Sequence, residues 1–144
     1  VYASRGLSAL VFRGANTGLD ELTTTDANQV WLVSGGAVVE TAFDARESLG
    51  MASSSIEDLA GGEAAENAAV ARDVLSGGGA DAVRDAVALN VGAGILAWEG
   101  LENPVTHSAD FEPRMRGAVE RALAALADGS GARLVERWVA ASNA

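Results

Sequence analysis

The segment that most restricts the fold is an apolar stretch, residues 86–98, inside the helical pattern of residues 81–99. Small and branched apolar side chains follow one another there, and Asn90 is the one polar residue among them. A helix that is apolar on every side has to be buried, and its small residues allow neighbouring backbones to approach closely. Because the stretch is too short to cross a membrane, it predicts a helix at the centre of a protein core. We interpret Asn90 as a core amide that bridges this helix to a loop.

The residues around this helix predict an α/β fold, with one strand, an antiparallel hairpin and then four to five helices. The strand is expected at residues 8–12, and the hairpin at residues 29–43 with its turn at Gly35-Gly36. Further helices are expected after a capping box at residues 54–57, at residues 63–76, with Pro113 in the first turn of another, and after Ser130. Three strands are too few to cover so many helices, so we expect more strands upstream of Val1. Residues 1–6 resemble the last turn of a helix, which also indicates a fragment of a longer protein.

Helical spacing assigns an inward face to each of the longer helices. The residues assigned to these faces are Asn67, Val70, Ala71, Val74 and Leu75, then Met115, Val119, Ala122, Leu123 and Leu126, and finally Leu134, Val135, Trp138 and Val139. In the helix at residues 81–99, which is apolar on every side, Val87, Val91 and Ile95 are expected to be buried. Trp98 is assigned to the core as well. We expect residues 81–99 to form the most buried helix.

Charge and composition exclude several classes of function. The chain of 144 residues has a formal net charge of −10, and its ten basic residues are arginines scattered singly. Such a surface repels phosphate backbones, so we expect no nucleic-acid partner. Cysteine is absent, which excludes disulfides and thiolate metal sites. Since no apolar run has membrane length and no leader pattern is present, we expect no membrane partner and a cytoplasmic location.

The best candidate site is the adjacent acidic pair Asp20-Glu21, in the loop that leaves the first strand. Ligands of α/β sheets lie at strand ends, and two carboxylates without a nearby histidine or thiolate suit Mg²⁺. The alternative is that the pair only solvates a loop, since a chain with 20 acidic residues contains adjacent pairs by chance. Another pair, Glu57-Asp58, is expected to charge the first turn of a helix. His107 is interpreted as solvated and Gly77-Gly78-Gly79 as a helix end, and no residue is predicted to be catalytic.

Several motifs, taken in order, resemble those of anthranilate phosphoribosyltransferases. Residues 9–14, Ala-Leu-Val-Phe-Arg-Gly, and residues 18–21, Gly-Leu-Asp-Glu, are similar to a strand, His-Gly and Gly-Leu-Asp-Glu pattern of that family. Further similar stretches lie at residues 61–68, 83–90 and 127–132. The departures are Arg13 in place of histidine, a loop after Gly14 that is one residue longer, and Val91-Gly92 in place of two alanines. The composition, rich in alanine, glycine and arginine without lysine, is typical of GC-rich bacteria such as actinobacteria.

The resemblance implies the C-terminal portion of a phosphoribosyltransferase/nucleoside phosphorylase-type α/β domain. Residues 1–144 would belong to the large catalytic domain, without the upstream domain and the phosphate-binding loops, and would be inactive alone. The complete enzyme would be a homodimer that moves phosphoribose from phosphoribosyl pyrophosphate to anthranilate in tryptophan biosynthesis. Asp20 and Glu21 would hold Mg²⁺ beside the pyrophosphate.

Two alternatives stay open on the sequence, a pyrimidine nucleoside phosphorylase of the same fold and a relative without catalytic activity. The Gly-Leu-Asp-Glu stretch favours the phosphoribosyltransferase over the phosphorylase. The retained acidic pair and the net charge of −10 argue against the non-catalytic relative.

Overall fold

The computed structural model describes residues 1–144, and it confirms the expected α/β fold. Three strands form one antiparallel sheet in the order β1-β2-β3, namely β1 (Ala9–Gly14), β2 (Asn28–Ser34) and β3 (Ala37–Phe43). The helices are α1 (Ala45–Leu49), α2 (Ala64–Leu75), α3 (Asp81–Glu99), α4 (Ser108–Ala127) and α5 (Ser130–Ser142). Short 3₁₀ turns lie at Ala3–Arg5 and Glu57–Leu59. None of the helices combines the length and the apolar character that crossing a membrane would need.

The β2–β3 hairpin forms where the sequence predicts it. Ser34 pairs with Ala37, and Gly35 and Gly36 between them both have a positive φ, 56° and 80°. A tight type I′ turn requires positive φ at two consecutive residues, and glycine adopts them without a Cβ clash. The hairpin places β2 between two antiparallel neighbours, at the centre of the sheet.

The core lies between one face of the sheet and the helices α3 and α4. Its largest members include Leu22, Val30, Leu32, Phe43, Leu89, Leu96, Phe111 and Met115. Phe43 and Phe111 meet edge to face with their ring centroids 5.5 Å apart, a favoured aromatic geometry. At Gly92 the two helices approach closely, because a Cβ built there would lie 2.7 Å from Cγ2 of Val119. The expectation that small residues in α3 allow close approach is confirmed.

α3 is not buried on every side, which corrects a prediction. Val91 is 43% exposed and Trp98 is 75% exposed, while Val87 and Ile95 are half-buried. α3 and α4 bury six residues each, so α3 is not set apart as the most buried helix. The reason is geometric, because the sheet and α4 cover α3 on two sides and no other α-helix packs closely on it.

α4 starts earlier than its proline indicates. The helix begins at Ser108, so Pro113, which is expected in the first turn, lies in the second turn. Phe111 is buried in the core, and burying that ring stabilises the turn ahead of the proline despite the missing N–H. The inward face of α4 is as predicted, since Met115, Val119, Ala122 and Leu126 are buried and Leu123 packs against the core.

The faces assigned to α2 and α5 are mostly exposed, which corrects those assignments. In α2 only Val74 is buried, and α5 has no buried residue at all. Leu134, Trp138 and Val139 of α5 are 56%, 73% and 54% exposed. Both helices show the spacing of an amphipathic helix, but their faces are covered only in part. Leu75 of α2 packs against the core and lies next to Gly131 of α5, while the large side chains of α5 stay exposed.

Candidate functional site

The loop that joins β1 to β2 carries the acidic pair Asp20 and Glu21. β1 ends at Gly14, whose N–H donates to the carbonyl of Leu19 at 2.8 Å, so the first half of the loop closes on itself. Gly18 turns the chain with a φ of 70°, a left-handed conformation that suits glycine because it has no Cβ. The acidic pair therefore directly follows a closed turn at the end of the edge strand β1.

Asp26 stabilises the first half of this loop. Its carboxylate accepts the N–H of Asn16 at 2.6 Å, the N–H of Thr17 at 3.0 Å, and the hydroxyls of Thr17 and Thr25. Burial raises the pKa of Asp26, but these hydrogen bonds together outweigh burial and lower the pKa below its ordinary value of 3.8. At neutral pH the side chain is therefore a charged acceptor that ties the two ends of the loop together.

Two asparagines hold the second half of the loop, directly after the acidic pair. Asn90 of α3 accepts the N–H of Leu22 at 3.1 Å and donates to the carbonyl of Leu22 at 2.9 Å. Asn28, the first residue of β2, makes the same two contacts with Thr23, at 3.2 Å and 3.0 Å. The expectation that Asn90 is a satisfied amide between helix and loop is confirmed.

Asp20 and Glu21 themselves lie exposed at the surface. The ion pairs of the chain all involve other acidic residues, so no arginine neutralises this pair. No group of three or more His, Cys, Asp or Glu side chains is placed to hold a metal ion. The pair thus offers two carboxylates, and a cation bound there would complete its coordination from water and ligand oxygens, as Mg²⁺ commonly does.

An open groove of about 510 Å³ lies beside the acidic pair, between the loop, the turn at Glu57–Leu59 and α3. Seven of its ten lining residues are hydrophobic, and the polar members are Glu21, Thr23 and Asn90. Of the acidic pair, only Glu21 lines this groove, and its side chain therefore borders a mostly apolar surface.

The second acidic pair, the histidine and the glycine run that the sequence singled out lie at helix ends. Asp58 accepts the N–H and the hydroxyl of Ser55 at 2.8 Å and 2.9 Å, and its own N–H donates to that hydroxyl at 3.2 Å. The capping box thus lies one residue later than the predicted box at residues 54–57, and the hydrogen bonds from Ser55 lower the pKa of Asp58. His107 is exposed ahead of α4, and Gly77-Gly78-Gly79 follows the end of α2 as predicted.

The chain shares most of its length with one known family. Residues 3–132 match the model described as glycosyl transferase family, a/b domain. The chain belongs to this glycosyl transferase family. An anthranilate phosphoribosyltransferase from Arthrobacter sp. is 45% identical to it over 140 residues, which cover 97% of this chain and 38% of that relative. One from Nocardia farcinica is 45% identical over 143 residues, which cover 99% of this chain and 41% of that relative. This glycosyl transferase chain therefore spans about two fifths of the length of these relatives.

Solved structures share the fold of this glycosyl transferase chain. Anthranilate phosphoribosyltransferase from Thermus thermophilus superposes with a TM-score of 0.75 at 35% identity, over 96% of this chain and 37% of that chain. The Saccharomyces cerevisiae enzyme, solved in complex with PRPP and Mg, superposes with a TM-score of 0.72 over 91% of this chain and 34% of that chain. At 19% identity the yeast likeness shows the fold alone. The family resemblance of the motifs is confirmed, and the relatives are mainly actinobacterial, as the composition indicates.

Sequence reasoning missed two residues that shape this loop, Asp26 and Asn28. Both are buried polar side chains in a segment rich in threonine, and Asp and Asn commonly bond to nearby backbone in turns. That pattern is the available signal for Asp26, which follows three threonines. Asn28 stands at the start of a strand, and its contacts with Thr23 depend on how the loop folds back.

Proposed function

We propose that this chain is part of an anthranilate phosphoribosyltransferase. The observation that supports the proposal is 45% identity to enzymes of that name across nearly the whole chain. In this reaction the amine nitrogen of anthranilate bonds to C1 of the ribose as the bond to pyrophosphate breaks, and the amine loses a proton. The names of the relatives favour this transferase over a nucleoside phosphorylase.

The activity belongs to a longer protein, which we call the complete enzyme. The chain spans only about two fifths of its relatives, so we place it in the C-terminal part of their large catalytic domain. The loops that bind the phosphates of phosphoribosyl pyrophosphate would lie upstream. On this proposal the 144-residue chain is inactive alone, and the complete enzyme is a cytoplasmic homodimer.

Asp20 and Glu21 hold Mg²⁺ in this proposal. The two carboxylates are exposed and free of ion pairs, and they follow a closed turn at the end of β1. Such hard oxygen ligands suit Mg²⁺, whose remaining positions water and substrate phosphate would fill. When bound, the ion supplies positive charge opposite the pyrophosphate as that group leaves. The yeast enzyme of this fold was solved with PRPP and Mg, which makes these ligands reasonable ones to test.

The decisive experiment neutralises the pair in the complete enzyme, with Asp20→Asn combined with Glu21→Gln. We expect turnover to fall by at least about a hundredfold, because two charges that retain the ion are removed where charge develops in the reaction. The KM for anthranilate should change little, since the amine is not bound by the ion. Steady-state kinetics over a series of Mg²⁺ concentrations measure both quantities.

A matched control removes the same charge elsewhere. Glu102→Gln combined with Glu136→Gln neutralises two exposed acids that form no ion pair, and this variant should keep its Mg²⁺ response. Near-normal kinetics of the Asp20→Asn, Glu21→Gln enzyme at every Mg²⁺ concentration would show that the pair merely solvates the loop. Consumption of anthranilate by the purified 144-residue chain with phosphoribosyl pyrophosphate and Mg²⁺ would contradict the upstream assignment.

A further inference from the structure

The backbone directly after the acidic pair is held from two sides by asparagine side chains. Asn90 reaches Leu22 from α3, 68 residues away in sequence. Asn28 reaches Thr23 from the first position of β2. Both target residues are buried, with Leu22 at 0% and Thr23 at 2% exposure, so the two contacts lie at the edge of the core.

Each amide satisfies the N–H and the carbonyl of one residue at once. A primary amide has one acceptor oxygen and two N–H donors, so it can pair with a residue as a neighbouring strand would. The second donor of each amide is also used, because Asn90 donates to the carbonyl of Ala86 at 2.8 Å and Asn28 donates to that of Phe43 at 3.3 Å. A flipped amide would place its oxygen against these carbonyls, so only one orientation satisfies every group.

The acidic side chains have no comparable support of their own. Asp20 and Glu21 are exposed and lie outside the ion pairs of the chain. Their direction therefore depends on the backbone that carries them. That backbone is fixed on one side by the turn at Gly18, and on the other side by the two asparagines.

We propose that Asn28 and Asn90 are positioning residues for a metal ion at Asp20 and Glu21. This inference rests on the proposed function, because it assumes that the acidic pair binds Mg²⁺. The asparagines do not touch the ion; they fix the peptide groups next to its ligands, so that both carboxylates face one point before the ion arrives. Residues that orient metal ligands without touching the ion commonly control the affinity for the metal.

The chain contains a third amide of the same geometry, Asn67, that serves as a matched control. Asn67 accepts the N–H of Gly62 at 2.8 Å and donates to the carbonyl of Gly62 at 2.9 Å, ahead of α2. Asn67 bridges α2 to the segment before it, as Asn90 bridges α3 to the loop between β1 and β2. It makes no contact with the loop that carries Asp20 and Glu21. Replacing it removes an equivalent pair of hydrogen bonds elsewhere.

The test compares Asn90→Ala and Asn67→Ala in the complete enzyme. We expect Asn90→Ala to raise the Mg²⁺ concentration for half-maximal activity about 10- to 100-fold, with most of kcat recovered at saturating Mg²⁺. The KM for anthranilate should stay the same. Asn67→Ala should lower the thermal midpoint and leave the Mg²⁺ response unchanged. Asn90→Ser is the second variant if the alanine variant does not fold, since serine can still donate to the carbonyl of Ala86 but is too short to reach Leu22.

The outcomes separate this inference from the proposed function. If Asn90→Ala or Asn90→Ser lowers the thermal midpoint but keeps the normal Mg²⁺ response, Asn90 is only structural and the inference is overturned. If that result occurs while Asp20→Asn with Glu21→Gln abolishes the Mg²⁺ response, the metal site survives without the positioning role. If the acidic double variant also responds normally to Mg²⁺, the proposed metal site fails, and the positioning role fails with it.

Discussion

At the scale of the residue, one buried carboxylate shows how the loop before the acidic pair is stabilised. The carboxylate of Asp26 accepts hydrogen bonds from two backbone N–H groups and two hydroxyls, which take the place of water. Hydrogen bonds to a charged acceptor are stronger than those to a neutral one. Burial raises the pKa of Asp26 and the hydrogen bonds lower it. Because the pKa is lowered overall, the hydrogen bonds have the larger effect. The ionised form of Asp26 therefore stabilises the native conformation of the loop.

The lowered pKa of Asp26 predicts an acid-dependent contribution to stability. A carboxylate with a depressed folded-state pKa stabilises the fold above its ordinary value of 3.8, and this stabilisation is lost as the pH falls through the depressed value. Asp26→Asn should lower the free energy of unfolding of the chain by about 1–3 kcal/mol at neutral pH. Urea unfolding from neutral pH to below 3.8 should show the gap between the two proteins closing in acid.

Asp20→Asn is the control for this measurement, because Asp20 lies in the same loop, is exposed and forms no ion pair. Its stability should follow that of the wild type at each pH. A gap for Asp26→Asn that stays constant down to the most acidic samples would mean that the charge of Asp26 does not stabilise the loop.

At the scale of the element, the contact between α3 and α4 depends on one glycine. A Cβ at Gly92 would lie 2.7 Å from Cγ2 and 3.1 Å from the backbone N of Val119. The second of these atoms belongs to the helix backbone, so it cannot rotate away. Gly94, two residues later on the same helix, is exposed and has nothing within 4 Å of its Cβ position. Two glycines of one helix thus have opposite packing environments.

Substitutions at these two glycines should therefore change stability in opposite directions. Gly92→Val should lower the free energy of unfolding by about 1–3 kcal/mol, because the added side chain overpacks the contact with α4. Gly94→Ala should raise it by about 0.5–1 kcal/mol, because alanine loses less backbone entropy in a helix. Chemical denaturation of the three proteins measures both effects. Equal stability of Gly92→Val and the wild type would mean that the helices can separate at little cost.

At the scale of the whole molecule, the sheet leaves backbone polar groups unpaired at its edge, and the last helix leaves apolar side chains exposed. β1 pairs with β2 on one side only, so the backbone groups of its other edge are free. α5 exposes Leu134, Trp138 and Val139. Open sheet edges and exposed apolar patches are the usual sites of association between chains. The isolated chain is therefore expected to self-associate as its concentration rises.

The apolar face of α5 should contribute to this association. Leu134→Gln combined with Trp138→Gln should shift the isolated chain toward monomer, while the thermal midpoint changes little because both side chains are more than half exposed. Light scattering over a concentration series measures the molecular mass. Glu136→Gln, an exposed polar change on the same helix, should leave the association as it is. A wild-type chain that remains monomeric at the highest concentration would contradict the prediction.

The sequence by itself determined the features that depend on near neighbours in the chain. The hairpin turn at Gly35-Gly36 and the helix end at Gly77-Gly78-Gly79 follow from the backbone freedom of glycine. The inward face of α4 follows from helical spacing. The amide role of Asn90 follows because a polar group in an apolar helix needs a partner nearby. The acidic pair could be singled out because it follows a strand in a loop that begins with a glycine turn.

Only the tertiary structure decided which partner each surface and each polar group meets. The spacing of Trp138 and Trp98 marks apolar faces, but both are exposed because no element among residues 1–144 covers them. The helix α4 extends ahead of Pro113 because the ring of Phe111 packs against Phe43 in the core. Asn28 shapes the acidic loop only because the chain folds back onto it. Local propensity acts over a few residues, whereas burial and hydrogen bonding are settled by residues that the fold brings together from far apart in the chain.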